Sequence, residues 1–356
     1  MRIGIDAREL CGKPTGVGRH LAGLMSAWSS DAAASRHTFV LYAHQDITPP
    51  LPNSEIRRLP GSPGTAWEQF ALPKAANADR LDVFFAPGYT APLLLKAPIV
   101  VLVHDVSFAA HPEWFRWKEG LRRRWLTRWS CEHAKVVLTV SDSARREILS
   151  HFGLPEHRVR CVYPGIARLT STNPASARES LVLFAGSVFN RRHIPDLIRA
   201  FTPIAKSHPD ARLVLVGDNR THPHEDLPAI AAAAGIAPQV SIRAYVADAE
   251  LGALYERARA FALLSEYEGF GHPPLEALAA GVPPVLFDTE VAREVCGDAA
   301  LYVAKDDIAG TTAALIRLLF DEDSRERLLL AAPGVLARYS WRRAAAETLA
   351  ALESAA

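Results

Sequence analysis

Short apolar runs alternate with longer amphipathic stretches from one end of the chain to the other, and this alternation constrains the fold more than any other feature. The apolar runs, such as residues 2–5, 83–86 and 181–185, are typical of parallel strands buried on both faces. The stretches between them, such as residues 18–29 and 195–207, have helical periodicity. The sequence therefore predicts the α/β class, with doubly wound parallel sheets.

The alternation lapses between residues 163 and 178, where Pro, Gly, Ser, Thr and Asn prevail and predict a linker. A second series of strands and helices follows, so we expect one doubly wound domain over residues 1–168 and another over residues 169–338. The length of 356 residues suits two such domains. Ligands of these sheets bind beyond the carboxyl ends of the strands, which predicts a site in a cleft between the domains.

Charge, cysteine spacing and hydropathy argue against several classes of protein. The 40 Lys and Arg residues nearly cancel the 39 Asp and Glu residues, so the net charge of +1 does not indicate nucleic-acid binding. The four cysteines form no CxxC pair, which argues against a metal site and a disulfide framework. Asp6 comes too early for a signal-peptide core, and the most apolar stretch, residues 91–103, is too short to cross a bilayer. We expect a cytoplasmic protein.

The strongest local motif follows the apolar run at residues 260–264. Two glutamates, Glu268 and Glu276, are separated by seven residues that include two glycines and two prolines. Because proline is tolerated in the first helical turn, the motif predicts a strand, a glycine-bearing loop and the start of a helix. Backbone N–H groups at such a start attract an anion or a hydroxyl-rich ligand. Glu276 could equally complement the helix dipole alone, and the residues by themselves leave both interpretations open.

This loop and six further motifs resemble the family-4 retaining glycosyltransferases of GT-B fold. The further motifs are Thr15-Gly-Val-Gly18, Val103-His104-Asp105, Val140-Ser-Asp-Ser143, Gly186 followed by Arg191-Arg192, Gly281-Val-Pro283 and Tyr339-Ser-Trp341. The resemblance extends over nearly the whole chain. Within the family, the region around Glu268 most resembles bacterial mannosyl- and rhamnosyltransferases of polysaccharide assembly. It implies that two Rossmann-like domains face each other across a cleft. It also implies an acceptor-binding first domain, a donor-binding second domain and a C-terminal helix, residues 339–356, that crosses back to the first domain.

The resemblance also implies a role for each candidate residue. Glu268 contacts the donor sugar near its anomeric centre, with an electrostatic and positioning role rather than nucleophilic attack, and Glu276 binds the nucleotide ribose. Arg191 and Arg192 bind the diphosphate, where cations stabilise the departing charge. The remaining catalytic and acceptor candidates are His104 and Asp105, and the other donor-binding candidates are Gly16, Gly18, Gly186, Gly269, Phe270, Gly271 and Leu275. Without the resemblance, adjacent arginines are usually solvated surface and a histidine after a buried strand is often structural.

The implied function is transfer of a hexose from a nucleotide-sugar donor to a saccharide or lipid-linked saccharide, with retention of anomeric configuration. Mannose and GDP-mannose are the first candidates for sugar and donor. We expect no cofactor and no metal, because GT-B enzymes generally use protein cations at the diphosphate. Two alternatives remain open. One is a non-catalytic sugar-nucleotide-binding partner in a glycan assembly complex, and the other is a GT-B-fold sugar-nucleotide epimerase.

The stretch from Trp114 to Trp129 is dense in tryptophan and arginine. At helical spacing its apolar side chains fall on one side and its basic side chains largely elsewhere: Trp114, Leu121, Trp125 and Trp129 on the former, and Arg116, Arg122, Arg123 and Arg124 on the latter. One interpretation is a core helix with a solvated basic face. The other is peripheral contact with an anionic membrane or a lipid-diphosphate acceptor.

Overall fold

The computed structural model describes residues 1–12, 16–49, 51, 54–166 and 177–356. Within them the chain forms two compact units, of which the first is Met1–Gly165 with Tyr339–Ala356 and the second is Ile166–Arg338. Thr15, most of the expected linker and the expected boundary at residue 168 lie outside the described residues. Each unit is built on one parallel sheet with helices, so the predicted α/β class is confirmed.

The first unit contains a seven-stranded sheet in which every pairing is parallel. Its strands are β1 (Arg2–Asp6), β2 (Thr38–Ala43), β3 (Ser54–Arg58), β4 (Val83–Ala86), β5 (Ile99–Val103), β6 (Val136–Thr139) and β7 (Val159–Cys161). The spatial order β3-β2-β1-β4-β5-β6-β7 reverses its progression between β1 and β4. Doubly wound sheets bind ligands at such a switch point.

Five helices of the first unit lie between these strands: α1 (Gly16–Trp28), α2 (Leu72–Ala78), α3 (Ser107–Ala110), α4 (Trp117–His133) and α5 (Asp142–Phe152). Local signals set their ends, as α5 illustrates. The Ser141 side chain accepts a hydrogen bond from the Ala144 N–H, which caps the first turn. Gly153 ends the helix at a φ of 65°, a left-handed conformation that glycine adopts without strain.

The second unit contains a six-stranded parallel sheet in the order β10-β9-β8-β11-β12-β13, with the reversal between β8 and β11. Its strands are β8 (Glu179–Ala185), β9 (Arg212–Val216), β10 (Val240–Arg243), β11 (Ala258–Leu263), β12 (Pro284–Phe287) and β13 (Leu301–Val303). Its helices are α6 (Ile194–Ser207), α7 (Leu227–Ala233), α8 (Asp248–Arg257), α9 (His272–Ala279), α10 (Glu290–Cys296), α11 (Ile308–Phe320) and α12 (Glu322–Leu336). The loops after β8 and β11 therefore meet at its switch point.

The last helix, α13 (Trp341–Ala355), packs on α1 of the first unit. The indole Nε1 of Trp28 donates to the Ala345 carbonyl at 2.9 Å. Glycines make room for the indole of Trp341, since a Cβ on Gly23 would lie 2.6 Å from the ring and one on Gly165 would lie 2.4 Å from it. The return of the C-terminal helix to the first unit is thus fixed by shape as well as by apolar burial.

Helix α4 contradicts the interpretation of residues 114–129 as a core helix. The side chains of Trp117, Leu121 and Trp125 are 73%, 57% and 56% exposed. The face that packs inward consists of one leucine and small or polar residues, namely Gly120, Leu126, Thr127, Ser130 and Cys131. That interpretation fails because the close approach of α4 to β5 uses small residues, while the large apolar side chains of Trp117, Leu121 and Trp125 stay exposed. In the part of the chain that the structure describes, no helix has the length and hydropathy needed to span a membrane.

Candidate active site

An ion pair between Arg192 and Glu268 lies at the carboxyl edge of the second sheet. Arg192 Nη2 is 2.7 Å and Nε is 2.8 Å from Glu268 Oε1. The third nitrogen, Nη1, donates to the Ser187 carbonyl at 2.8 Å. The two side chains are only 11% and 16% exposed, so each charge compensates the desolvation of the other. The loop after β8 and the loop after β11 are thereby joined by a charge-assisted contact.

Gly186 gives Arg192 the space that it needs. A Cβ at this position would lie 2.5 Å from Arg192 Nη1, and the glycine has a φ of 140°, which side-chain-bearing residues rarely adopt. Gly217, which follows β9, packs against Gly186, since a Cβ on Gly217 would lie 1.8 Å from the Gly186 carbonyl oxygen. The glycine at position 186 is therefore required by the path of the guanidinium.

Arg191 holds the same two loops together from their other side. Its guanidinium lies 4.3 Å from the centre of the Phe189 ring, and its Nε donates to the Tyr267 carbonyl at 3.3 Å. Its own carbonyl accepts from the Glu266 N–H at 3.0 Å. Both arginines predicted for a diphosphate site thus lie beside the predicted sugar-contacting glutamate, in one unit.

Glu276 sits in the second turn of α9, which begins after Gly271 at a φ of 101°. Its Oε2 accepts a hydrogen bond from the Tyr255 hydroxyl at 3.2 Å, and Tyr255 is fully buried. A carboxylate oriented in this way can accept two vicinal hydroxyls. Sequence reasoning missed Tyr255, because a single tyrosine in an ordinary helical pattern carries no signal of its partner.

A small pocket adjoins Glu268. Its lining is largely apolar and includes Phe270, Gly271 and Cys296. The Phe270 and Leu275 side chains are buried, and Phe270 belongs to the lining of this pocket. Burial raises the pKa of the Cys296 thiol to about 12, which keeps it neutral and unsuited to nucleophilic chemistry.

One group of three metal-type ligands comes together among the described residues of this unit. Ligand atoms of His193, Asp196 and Asp306 lie within 4.8 Å of one another. Asp196 already accepts from His193 Nδ1 at 3.0 Å and from Arg199 at 2.5 Å. The sequence did not predict this group, because Asp306 is distant from the other two along the chain.

His104 follows β5 in the first unit. Its Nε2 is 3.0 Å from the Pro87 carbonyl, which assigns the proton of the neutral ring to Nε2. Burial lowers the pKa of His104 below its usual value, outweighing the hydrogen bond to Pro87 and the charge of Asp105. The imidazole is therefore neutral near pH 7, with Nδ1 as an acceptor. It packs at 5.3 Å from the His20 ring and 5.4 Å from the Tyr89 ring.

Asp105 is fixed through both carboxylate oxygens. Its Oδ2 accepts from the Tyr89 hydroxyl at 2.8 Å, and its Oδ1 accepts from the Ser107 N–H at 2.9 Å. Gly16 and Gly18 open α1 in the same unit. The candidate residues thus form two groups: Gly16, Gly18, His104 and Asp105 in the first unit, and Gly186, Arg191, Arg192, Glu268, Gly269, Phe270, Gly271, Leu275 and Glu276 in the second.

Comparison with known proteins finds two family matches along the chain. Residues 14–168 match the family described as Glycosyltransferase Family 4, and residues 169–333 match the family described as Glycosyl transferases group 1. Among curated relatives, O-antigen chain mannosyltransferase B of Escherichia coli is 27% identical, over 75% of this chain and 73% of that protein. MMP alpha-(1->4)-mannosyltransferase of Mycolicibacterium hassiacum is 28% identical, over 72% of this chain and 66% of that protein.

The fold is also that of solved glycosyltransferase structures. Sucrose-phosphate synthase from Thermosynechococcus elongatus superposes with a TM-score of 0.77, covering 99% of this chain and 98% of that chain, at 17% sequence identity. The predicted GT-B fold and the predicted family resemblance are both confirmed. The chain belongs to the GT-B glycosyltransferases that join a family-4 N-terminal domain to a group-1 C-terminal domain, and it is a transferase enzyme.

Proposed function

We propose that this enzyme transfers mannose from a nucleoside-diphosphate donor, with GDP-mannose as the first candidate, to a saccharide or lipid-linked saccharide of the cell surface. The observation that carries the proposal is the Arg192–Glu268 pair, which sets a cation beside a carboxylate where a glycosyl–phosphate bond must be cleaved. The two relatives described above are named mannosyltransferases, and one of them acts on the O-antigen chain. Those names support mannose and a surface glycan.

The chemistry follows from the charges at this site. The bond between the anomeric carbon and the diphosphate oxygen breaks, and its electron pair leaves with the nucleoside diphosphate. Arg191 and Arg192 stabilise that developing negative charge, so the reaction needs no metal. Glu268 stabilises positive charge on the sugar, and Glu276 binds the ribose through its two acceptor oxygens. The acceptor oxygen attacks on the face that the leaving group vacates and gives its proton to the diphosphate, which retains the anomeric configuration.

The variant Glu268→Gln separates transfer from mere binding. We expect it to lower kcat by about 100-fold, because the neutral amide cannot stabilise a sugar cation. A thermal-shift panel of GDP-mannose, UDP-glucose and dTDP-rhamnose, each with and without EDTA, should show a rise in Tm with GDP-mannose that EDTA does not change. The variant should keep that rise.

Two outcomes would contradict the proposal. If Glu268→Gln were as active as the wild type, Glu268 would have no role in the chemistry. Binding without any transfer by the wild type, over a panel of saccharide acceptors, would favour a sugar-nucleotide-binding partner instead. Nuclear magnetic resonance of the donor after incubation tests the epimerase alternative, since an epimerase inverts a sugar stereocentre while the nucleotide stays attached.

The exposed face of α4 supports a second part of the proposal, peripheral contact with an anionic bilayer at the cytoplasmic side of the membrane. Trp117, Leu121 and Trp125 recur every four residues and form one exposed apolar strip. Six of the thirteen residues from 116 to 128 are Lys or Arg and one is Glu. A helix that combines exposed tryptophan with this much positive charge suits the interface of anionic lipids. A lipid-linked acceptor would be presented at the same surface.

Liposome flotation tests this contact. We expect the enzyme to float with vesicles that contain phosphatidylglycerol and to remain behind with phosphatidylcholine alone. The double variant Trp117→Ala, Trp125→Ala should lose flotation. The matched control, Tyr245→Ala with Leu330→Ala, removes two exposed apolar side chains of the second unit and should leave it unchanged. Equal flotation by all three proteins, or none by the wild type, would contradict the membrane contact.

A further inference from the structure

Tyr89 has a backbone conformation that tyrosine rarely adopts. Its φ is 72°, in the left-handed region where glycine is at home and other residues are strained. Two backbone hydrogen bonds keep Tyr89 in this conformation. The Tyr89 N–H donates to the Leu102 carbonyl at 3.0 Å, and the Thr90 N–H donates to the Gly88 carbonyl at 2.9 Å. A glycine would satisfy the same backbone without strain. The tyrosine side chain must therefore contribute something that offsets it.

That side chain reaches both candidate residues that follow β5. Its hydroxyl donates to Asp105 Oδ2 at 2.8 Å, and its ring centre lies 5.4 Å from the His104 ring and 6.3 Å from the Phe108 ring. Tyr89 itself follows β4, the strand beside β5, at the carboxyl edge where this sheet binds ligands. One strained residue thus fixes the orientation of an acidic group and of an imidazole.

We propose that Tyr89 is a positioning residue for the acceptor. With Oδ1 held by the Ser107 N–H and Oδ2 held by the phenol, the Asp105 carboxylate cannot rotate. The remaining lone pairs of the carboxylate therefore point in fixed directions, where they can accept hydrogen bonds from the hydroxyl groups of the saccharide acceptor. This inference rests on the proposed function and on the expectation from the sequence that Asp105 meets the acceptor. It adds that Tyr89 sets how well that acceptor binds, without touching the donor.

The test compares two variants that remove hydrogen bonds of equal length from the same unit. Tyr89→Phe keeps the ring and removes the hydroxyl that donates to Asp105. Tyr42→Phe loses a 2.8 Å bond to Asp79 Oδ2, and Asp79 pairs with Arg2 and Arg57 instead of any candidate residue. We expect Tyr89→Phe to raise the acceptor KM about tenfold and to leave the donor KM unchanged. Tyr42→Phe should change neither KM, whatever it does to Tm.

The variant Asp105→Ala makes the outcomes distinguishable. If Tyr89 acts through Asp105, adding Tyr89→Phe to Asp105→Ala raises the acceptor KM no further. If Tyr89→Phe and Tyr42→Phe both lower Tm and neither alters the acceptor KM while Asp105→Ala does, Tyr89 is only structural and the inference is overturned. If Asp105→Ala itself leaves the acceptor KM unchanged, the expected acceptor role of Asp105 fails and the inference fails with it, while the proposed transfer reaction at Glu268 is unaffected.

Discussion

Arg192 divides its guanidinium between two tasks, since Nε and Nη2 reach Glu268 while Nη1 reaches the Ser187 carbonyl. A lysine carries the same charge on one nitrogen and lacks the planar fork that reaches Glu268 and the Ser187 carbonyl from separate nitrogens. We expect Arg192→Lys to lower kcat/KM for the donor about tenfold and Arg192→Met to lower it about 1000-fold, because only the latter removes the charge proposed to stabilise the departing diphosphate. Steady-state kinetics measure both. Arg327→Met, an exposed position on α12, should behave as wild type, and an active Arg192→Met enzyme would refute the assignment.

Asp6 ends β1 inside the first unit, and its burial raises its pKa from 3.8 to about 6, outweighing the attraction of Arg8 at 3.1 Å. Because the folded state holds this proton at a higher pH than the unfolded state, the contribution of Asp6 to stability is present below about pH 4 and is lost as the pH rises to 6. The loss is about 3 kcal/mol. Urea unfolding at pH 4 and at pH 7 measures this loss. The free energy of unfolding of Asp6→Asn, relative to that of the wild type, should be higher at pH 7 than at pH 4.

Asp79 supplies a comparison of opposite sign. Burial opposes ionisation there, but the hydrogen bonds from Arg57 and Tyr42 lower its pKa below the usual value. Its stabilising contribution is therefore present above the unfolded pKa and is lost as the pH falls. Asp79→Asn should be more destabilising at pH 7 than at low pH. If both variants responded to pH in the same direction, the burial argument for Asp6 would be wrong.

At the scale of elements, the sequence predicted interior strands well and edge strands poorly. Strands such as β4 and β5 are buried throughout, so their uninterrupted apolar runs stand out. Three edge strands were missed, namely β3, β7 and β13. β3 has the sequence Ser-Glu-Ile-Arg-Arg. Among the described residues one of its sides has no neighbouring strand, so its side chains are partly solvated and need not be apolar. A local sequence pattern cannot identify a strand that is extended only because it pairs with one neighbouring strand.

The candidate site divides in the same way. Glu268, Glu276 and the arginine pair belong to motifs with fixed spacing, so they could be named from the sequence. Tyr255 and Tyr89 could not, because each acts on a carboxylate 21 or 16 residues away along the chain. Only the tertiary structure shows which polar group a lone tyrosine meets.

The contact between α1 and α13 gives a prediction at this scale. A Cβ on Gly23 would lie 2.6 Å from the Trp341 indole, so Gly23→Ala must displace the C-terminal helix. We expect a loss of about 1–3 kcal/mol in the free energy of unfolding, as for other overpacked cores. Gly334→Ala in α12 is the matched control, because no described residue beyond its own helical turn lies within 4 Å of the added Cβ. That variant should gain about 0.5–1 kcal/mol from helix propensity, and equal effects of the two substitutions would rule out the steric explanation.

At the scale of the whole molecule, the chain forms two units with separate sheets, and the expected diphosphate and ribose contacts made by Arg191, Arg192 and Glu276 all belong to the second unit. A ligand stabilises only the part of a protein that must be folded to bind it. Differential scanning calorimetry should therefore show two transitions. GDP at a concentration 100 times its Kd should stabilise the second unit by about 2.7 kcal/mol and leave the first transition in place.

The variants Glu276→Gln and Trp341→Ala assign the two transitions. Glu276→Gln weakens the proposed ribose contact, so it should reduce the shift caused by GDP without moving either transition in the absence of GDP. Trp341→Ala removes the indole that packs on Gly23 and Gly165, so it should lower the transition that GDP does not move. Because Tyr339–Ala356 folds with Met1–Gly165, the last helix must stabilise the beginning of the chain rather than the unit that immediately precedes it. A GDP-sensitive transition lowered by Trp341→Ala would contradict that division.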